Sequence, residues 1–284
     1  ELYREAAAEE YPPALCELGL CYETGSGVEM DKYQATVYYR QAAELGHAPS
    51  QCNLGFCYLM GIGLDRDYDQ AVSWLAEAAE QHYPRGLALL GDCYYFGSGV
   101  EQDYDKAFRL YEVAAEDGHV PAITSLGLCY ELGYGVEKDT ARAAETYRDA
   151  AERGYAAAQC NLGFCYYIGI GVEQDDAEAF HWFGLAAAQQ HPRALCLLGA
   201  CYQYGYGVDT DPARAAELYQ KSIDRGYVPA LCDLGVCYEQ GRGVETDRAK
   251  AVELYHEAAQ QDYPPAQCNL GYCYYAGIGV EQDD

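Results

Sequence analysis

Shifted against itself by 36 residues, the sequence falls into register with itself along its whole length. Its Leu-Gly dipeptides align with glycines at Gly19, Gly55, Gly91, Gly127, Gly163, Gly199, Gly235 and Gly271, with no insertion or deletion. The same offset carries Gly25 and Gly27 to Gly61 and Gly63 and onward to Gly277 and Gly279. It also carries Asp31 to Asp67, Asp103, Asp139, Asp175, Asp211, Asp247 and Asp283. A period of this size restricts the chain to a solenoid, because one unit is too small to bury its own apolar face and packs it on its neighbours. A length prior of about 150 residues per domain presumes non-repetitive sequence and gives way to the repeat. The expected organisation is a single array over 1–284: a partial repeat 1–11, repeats 12–47, 48–83, 84–119, 120–155, 156–191, 192–227 and 228–263, and a partial repeat 264–284.

Within one unit, Gln51, Leu54, Gly55 and Tyr58 recur at 3/4 spacing, as do Ala71, Leu75, Ala78 and Ala79. Two amphipathic helices, A over 48–60 and B over 68–80, follow from that period. Each helix B begins after an Asp whose carboxylate can accept from free backbone N–H groups, Asp211-Pro212 being the clearest case. Gly46, Gly118, Gly154 and Gly226 suit its C-terminal end, and Pro49, Pro121, Pro229 and Pro265 open the next helix A. The Gly-x-Gly connection after helix A superficially suggests a phosphate loop. No strand precedes it and no Gly-Lys-Ser/Thr follows, so it reads as a helix-ending turn in which glycine relieves positive φ.

The unit resembles the Sel1-like repeat, a relative of the tetratricopeptide repeat. The residues that carry the resemblance are Ala158-Gln159-Cys160-Asn161-Leu162-Gly163, Tyr166, Gly169-x-Gly171-Val172, Asp175, Ala179 and Ala186-Ala187, and a match to that pattern recurs eight times. The resemblance implies an all-α, right-handed α/α superhelical solenoid of about eight helix-turn-helix repeats, used as an adaptor in protein complexes. It departs from the disulfide-rich branch of that family, which has a thiol on helix B where this sequence has Ala-Ala.

A longer period of three units is visible. Trp74 returns as Trp182, and Gln-Cys-Asn-Leu-Gly at 51–55 returns at 159–163 and 267–271, as after duplication of a three-unit block. The ends stand in nearly complementary phase: residues 1–10 read as a helix B with no helix A before it, and Asp283 as the cap of a helix B beyond the sequence. Either the chain is an internal piece of a longer array, or its ends are covered by end-to-end stacking on other copies.

Forty-five acidic against eighteen basic residues give a net charge of −27. Nucleic-acid binding by phosphate neutralisation and attraction to anionic membranes are both disfavoured, and no apolar run approaches the ~18 residues of a membrane span. Basic partners should be favoured instead.

Fourteen cysteines occupy two positions of the unit, Cys16, Cys52, Cys160, Cys196, Cys232 and Cys268 at the first, and Cys21, Cys57, Cys93, Cys129, Cys165, Cys201, Cys237 and Cys273 at the second. Five residues apart, they point about 140° apart on one helix and cannot bridge within it. Buried free thiols, bridges between adjacent A helices and metal ligation are three readings of this pattern. Metal ligation lacks a C-x-x-C motif or a His at ligand spacing. His47, His119 and His191 take the place of Tyr in other units and read as packing residues. The acidic ladder Glu29-x-Asp31, Asp65-x-Asp67, Glu101-x-Asp103 supplies two carboxylates per turn, which reads as caps and a solvated edge rather than a calcium site. Catalysis generally requires a site that breaks repeat symmetry, and nothing here does. No enzyme activity and no cofactor are expected.

On helix A, the positions of Ala14, Leu15, Leu18, Gly19 and Tyr22 hardly vary and mark the face packed on helix B. The opposite arc, at the positions of Glu17, Leu20 and Thr24, varies from unit to unit. If helix A lines the inner curve, this concave face presents Asn53, Phe56, Met60, Phe96, Asn161, Phe164, Tyr204, Asn269 and Tyr272, with aromatic anchors and Asn side chains able to satisfy backbone groups of a bound peptide or protein segment. Tight curvature could instead bury these residues between adjacent A helices. The function expected is a non-enzymatic interaction scaffold, the alternative a structural protein stacking head to tail into a filament.

Overall fold

The structure is a computed structural model and describes residues 2–281. Among these it contains sixteen α-helices and no strand. The chain forms two compact units, 1–146 and 147–284. The first holds α1 (Leu2–Ala8), α2 (Pro12–Thr24), α3 (Lys32–Glu44), α4 (Ala48–Met60), α5 (Tyr68–Glu80), α6 (Pro84–Phe96), α7 (Tyr104–Glu116), α8 (Val120–Leu132) and the start of α9 (Thr140–Glu152). The second holds the rest of α9, then α10 (Ala156–Ile168), α11 (Asp176–Ala188), α12 (Pro192–Tyr204), α13 (Pro212–Asp224), α14 (Pro229–Gln240), α15 (Arg248–Ala259) and α16 (Pro264–Ala276). Helices A and B of the sequence reading are α4 and α5 and their equivalents.

The capping asparates act as their spacing requires. Asp31, Asp67, Asp103, Asp139, Asp175, Asp211 and Asp247 each accept from the backbone N–H three residues on, at 2.9 to 3.1 Å. Asp283, assigned the same role, lies outside the described residues. Two of the histidines read as packing residues are also caps: His119 Nδ1 accepts from the Ala122 N–H and His191 Nδ1 from the Ala194 N–H, each at 3.3 Å. Partial burial lowers the basicity of both rings, and a nearby arginine, Arg85 or Arg193, lowers it further, so the accepting nitrogen stays unprotonated.

One position after helix B departs from the glycine rule. Gly46, Gly118, Gly154 and Gly226 take φ of 80°, 79°, 87° and 82°, whereas Glu10, His82, Gln190 and Asp262 hold the same register position with φ of 56°, 55°, 62° and 55°. The backbone there is left-handed whichever residue the sequence supplies. A side chain in that conformation costs roughly 1–2 kcal/mol, partly offset by the roughly 0.5–1 kcal/mol of extra chain entropy that glycine loses on folding. His82→Gly and Gln190→Gly should therefore each raise stability by about 0.5–1 kcal/mol in urea unfolding, and Gly154→His should lower it.

Six of the repeats close around a knob and a slot. The ring or side-chain carbons of Tyr39, Leu75, Tyr111, Phe183, Tyr219 and Tyr255 lie where a Cβ would stand on Gly19, Gly55, Gly91, Gly163, Gly199 and Gly235. All six knobs are at most 2% exposed, so the Leu-Gly signature is a packing requirement of helix B on helix A. Three of the Tyr hydroxyls donate to carboxylates on helix A: Tyr39 to Glu23 at 2.5 Å, Tyr111 to Asp92 at 2.7 Å and Tyr255 to Glu239 at 2.9 Å.

Successive repeats are joined at the second glycine of the turn. A Cβ on Gly63, Gly99, Gly135, Gly207, Gly243 or Gly279 would collide with the backbone carbonyl of Lys32, Tyr68, Tyr104, Asp176, Pro212 or Arg248, in each case the first residue of the preceding helix B. Cations cover the Tyr22 series: Arg40 lies over Tyr58, Lys106 over Tyr94, Arg142 over Tyr130, Arg148 over Tyr166, Arg214 over Tyr202 and Lys250 over Tyr238, at 4.4 to 6.0 Å from the ring centroids.

Candidate interaction surface on the A helices

The variable arc of helix A divides into two layers. From α4 to α14 its first two positions, near the middle of the helix, are half-buried, while its third, on the last turn, is exposed; on α2 Glu17 and Leu20 are exposed as well. Asn53, Phe56, Asn161 and Phe164 belong to the half-buried layer. Met60, Phe96 and Tyr204 belong to the open one, Phe96 being 70% exposed. On α16, Asn269 is half-buried and Tyr272 exposed.

The two asparagines do not stand free. Asn53 Oδ1 accepts from Arg85 Nη1 at 2.7 Å and its Nδ2 donates to Cys16 Sγ at 3.8 Å. Arg85, from the next A helix, lies over the Phe56 ring at 5.3 Å. The arrangement returns three repeats later, with Arg193 Nη1 donating to Asn161 Oδ1 at 3.4 Å and lying 4.7 Å over Phe164. The sequence reading missed these arginines because each lies on the next helix, 32 residues from its Asn. The signal available was the three-unit period, which carries Arg85 onto Arg193 together with Asn and Phe.

In the first unit, Phe56, Met60 and Phe96 converge on one groove of about 320 Å³ between α4 and α6, completed by Leu59, Leu89, Cys93 and Tyr68, with Arg66, Asp92 and Ser98 at its polar edges. Asp92 is held by Tyr111, and burial raises its carboxyl above the usual carboxylate range. Phe96 also borders a smaller recess of about 60 Å³ toward α8, with Tyr95, Ser125 and Leu128. In the second unit, Phe164, Tyr167, Tyr204 and Tyr206 form a chain of ring contacts with centroids 5.3 to 6.4 Å apart.

All fourteen cysteines are free thiols, Cys21 half-buried, Cys268 exposed and the others buried. Two first-position thiols meet the next A helix through polar contacts: Cys16 Sγ accepts from Asn53, and Cys196 Sγ donates to Asp233 Oδ2 at 3.1 Å. Burial pushes Cys52, Cys93, Cys160, Cys232 and Cys237 up to about 11 and Cys57, Cys129 and Cys201 up to about 12. A thiol-disulfide reagent at pH 8 should accordingly react quickly with Cys268, more slowly with Cys21, and with the rest only in denaturant. Rapid modification of most of the fourteen in the native protein would contradict the buried arrangement. Among the described residues no three His, Cys, Asp or Glu side chains come close enough to hold a metal ion, and no helix is long and apolar enough to cross a membrane.

The Sel1 repeat model matches residues 12–47, 48–83, 84–119, 120–155, 156–191, 192–227, 228–263 and 264–284. The chain belongs to the Sel1 repeat family. Among solved structures it is similar to c5321, a protective antigen present in uropathogenic Escherichia coli strains, with 31% identity, a TM-score of 0.56, and coverage of 99% of this chain and 76% of that one. It is also similar to a Sel1 repeat protein from Oxalobacter formigenes, with 27% identity, a TM-score of 0.73, and coverage of 86% of this chain and 96% of that one. The immunity protein Pa5087 from Pseudomonas aeruginosa shares the fold at 20% identity and a TM-score of 0.54, over 75% of this chain and 81% of that one. No curated protein sequence matches. Sel1 repeat proteins are generally protein-interaction scaffolds, and the repeat is generally a non-enzymatic fold. The chain is thus an all-α Sel1 solenoid of eight repeats.

Proposed function

We propose that this Sel1 repeat chain is a non-enzymatic adaptor that seats an apolar segment of another protein against the last turns of its A helices. Phe56, Met60 and Phe96 are the anchors in the first unit, and Phe164, Tyr204 and Tyr272 offer similar groups in the second, with Asn161 and Asn269 beside them. The observation that carries this reading is the groove between α4 and α6, where an exposed Phe96 and Met60 flank a half-buried Phe56. Apolar side chains held open on a rigid helical pair are the features that binding hot spots use. The net charge of −27 favours partners of net positive charge and makes association weaken with salt.

The test is selection of peptides from a random displayed library on the 284-residue protein, followed by measured affinities for Phe96→Ser and the double variant Met60→Ser with Phe96→Ser. Because Phe96 is exposed, its loss should leave stability within about 0.5 kcal/mol, while affinity falls by at least about tenfold, as for a hot-spot aromatic. Selected peptides that bind both variants as tightly as the parent would refute the groove. Sedimentation of the unliganded protein runs alongside, and fibres of uniform width would favour head-to-tail assembly instead.

A further inference from the structure

Arg85 and Arg193 stand half-buried on the A-helix face, where the carboxylates of Asp92 and Asp233 are already bonded to Tyr111 and Cys196. Arg85 is half-buried, bonded to the Asn53 amide and laid over the Phe56 ring; Arg193 has the same relation to Asn161 and Phe164. Among the described residues neither guanidinium has a carboxylate partner, the ion pairs there being Lys106–Asp103 and Arg153–Asp149. The carboxylate nearest to the groove, Asp92, is engaged by Tyr111 and does not pair with Arg85.

A guanidinium has five N–H donors in a fixed fork, and the Asn amide occupies one side of it. Stacking on the Phe ring fixes its plane, so the remaining donors are oriented before any ligand arrives. Partial burial without a counter-charge costs free energy that an incoming anion would recover. The setting is also specific to two repeats. At the register position of Arg85 and Arg193 the other units carry Pro13, Pro49, Pro121, Ala157, Pro229 and Pro265, and Arg occurs only where the preceding unit supplies both the Asn and the Phe.

We infer that Arg85 and Arg193 are carboxylate-binding positions, each taking an Asp or Glu side chain of the bound segment next to an apolar residue that packs on Phe56 or Phe164. The inference rests on the adaptor reading and adds to it the chemistry of the segment. It does not conflict with a basic partner: the field of the whole chain acts over the distance of approach, whereas the guanidinium selects one residue at contact.

The experiment uses two blocked dipeptides, acetyl-Asp-Phe-amide and acetyl-Asn-Phe-amide, which differ only in the charge of one side chain. They are titrated into the 284-residue protein while the arginine Nε–H signals and the ring and methyl signals of Phe56, Met60 and Phe96 are followed by NMR. The acidic dipeptide should shift the Arg85 and Arg193 signals saturably, with the Asn dipeptide at least about tenfold weaker. Arg85→Lys keeps the charge but removes the fork, and should abolish the response at that site, leave Arg193 responsive, and keep the unfolding midpoint near that of the parent. Equal affinity for the two dipeptides, or no saturable shift of either guanidinium, overturns the inference. Should the dipeptides perturb Phe56, Met60 and Phe96 but neither guanidinium, the groove stands and the carboxylate site falls. Responding guanidinia in a protein whose selected peptides ignore Phe96→Ser would give the reverse.

Discussion

Gly243→Ala should destabilise the chain by several kcal/mol, while Gly27→Ala, the same substitution at the same register position, should cost only about 1–2 kcal/mol. Both glycines have φ of 73°, so the backbone strain added by a side chain is the same. What differs is the neighbour. A Cβ on Gly243 would run into the Pro212 carbonyl and the Ala213 N–H at the start of α13, whereas one on Gly27 meets nothing within 4 Å. Backbone cannot rotate aside as a side chain can, so α13 and α14 would have to move apart, adding a cost of about 1–3 kcal/mol or more of the kind seen in overpacked cores. Urea unfolding of the two variants beside the parent separates strain from collision. Equal losses would mean that the close approach between repeats is relaxed in solution and that the second glycine of the turn serves only its own φ.

That contrast marks the boundary of what a sequence alone discloses. The 3/4 spacing of Gln51, Leu54, Gly55 and Tyr58, the aspartates before the B helices from α3 on and the prolines in the first turn of every A helix but α10 are local instructions, and α4, α5 and their equivalents begin where those residues direct. The positive φ of the turn glycines is local as well. The collision that Gly243 avoids is not, because its partner lies 31 residues upstream and is a backbone atom with no residue-type signature. The knob and slot stand between these cases. Gly91 and Tyr111 repeat in step, so their partnership could be suspected from the period, but only packing shows that the ring occupies the place of a Cβ.

The candidate surface was legible to a similar depth. Helical phase separated the variable arc from the face on helix B, and the groove in the first unit does gather Phe56, Met60 and Phe96. Phase could not tell that the middle of the arc would be covered by the next A helix while its last turn stays open. That outcome depends on how closely consecutive A helices approach, which the phase of one helix does not record. Asn53 was read as a group for a partner's backbone; it is instead bonded to Arg85 at 2.7 Å. Charge counting pointed to basic partners, yet the total of −27 contains no information on where an individual guanidinium sits.

Tyr111→Ala is expected to cost about 3–5 kcal/mol, as for other large-to-small changes in a packed core. The ring is 2% exposed, fills the slot over Gly91, and its hydroxyl donates to Asp92 at 2.7 Å. Removing it leaves a cavity and a buried carboxyl without its donor. Gly91→Ala should also destabilise, since its new methyl would stand 2.6 Å from Tyr111 Cε1. The double variant should cost clearly less than the sum of the two, because the alanine methyl then enters the space the ring has vacated; residues in direct contact show such coupling at about 0.5–3 kcal/mol. Gly271 supplies the control: a Cβ there meets nothing within 4 Å, so Gly271→Ala should be neutral or stabilising by up to about 1 kcal/mol through helix propensity alone. Additive losses at Gly91 and Tyr111 would show that the two residues do not share one space. Coupling at that pair, with Gly271→Ala neutral, would identify the glycine of the Leu-Gly signature as the seat of the helix-B ring, and would explain why that position is glycine in every unit.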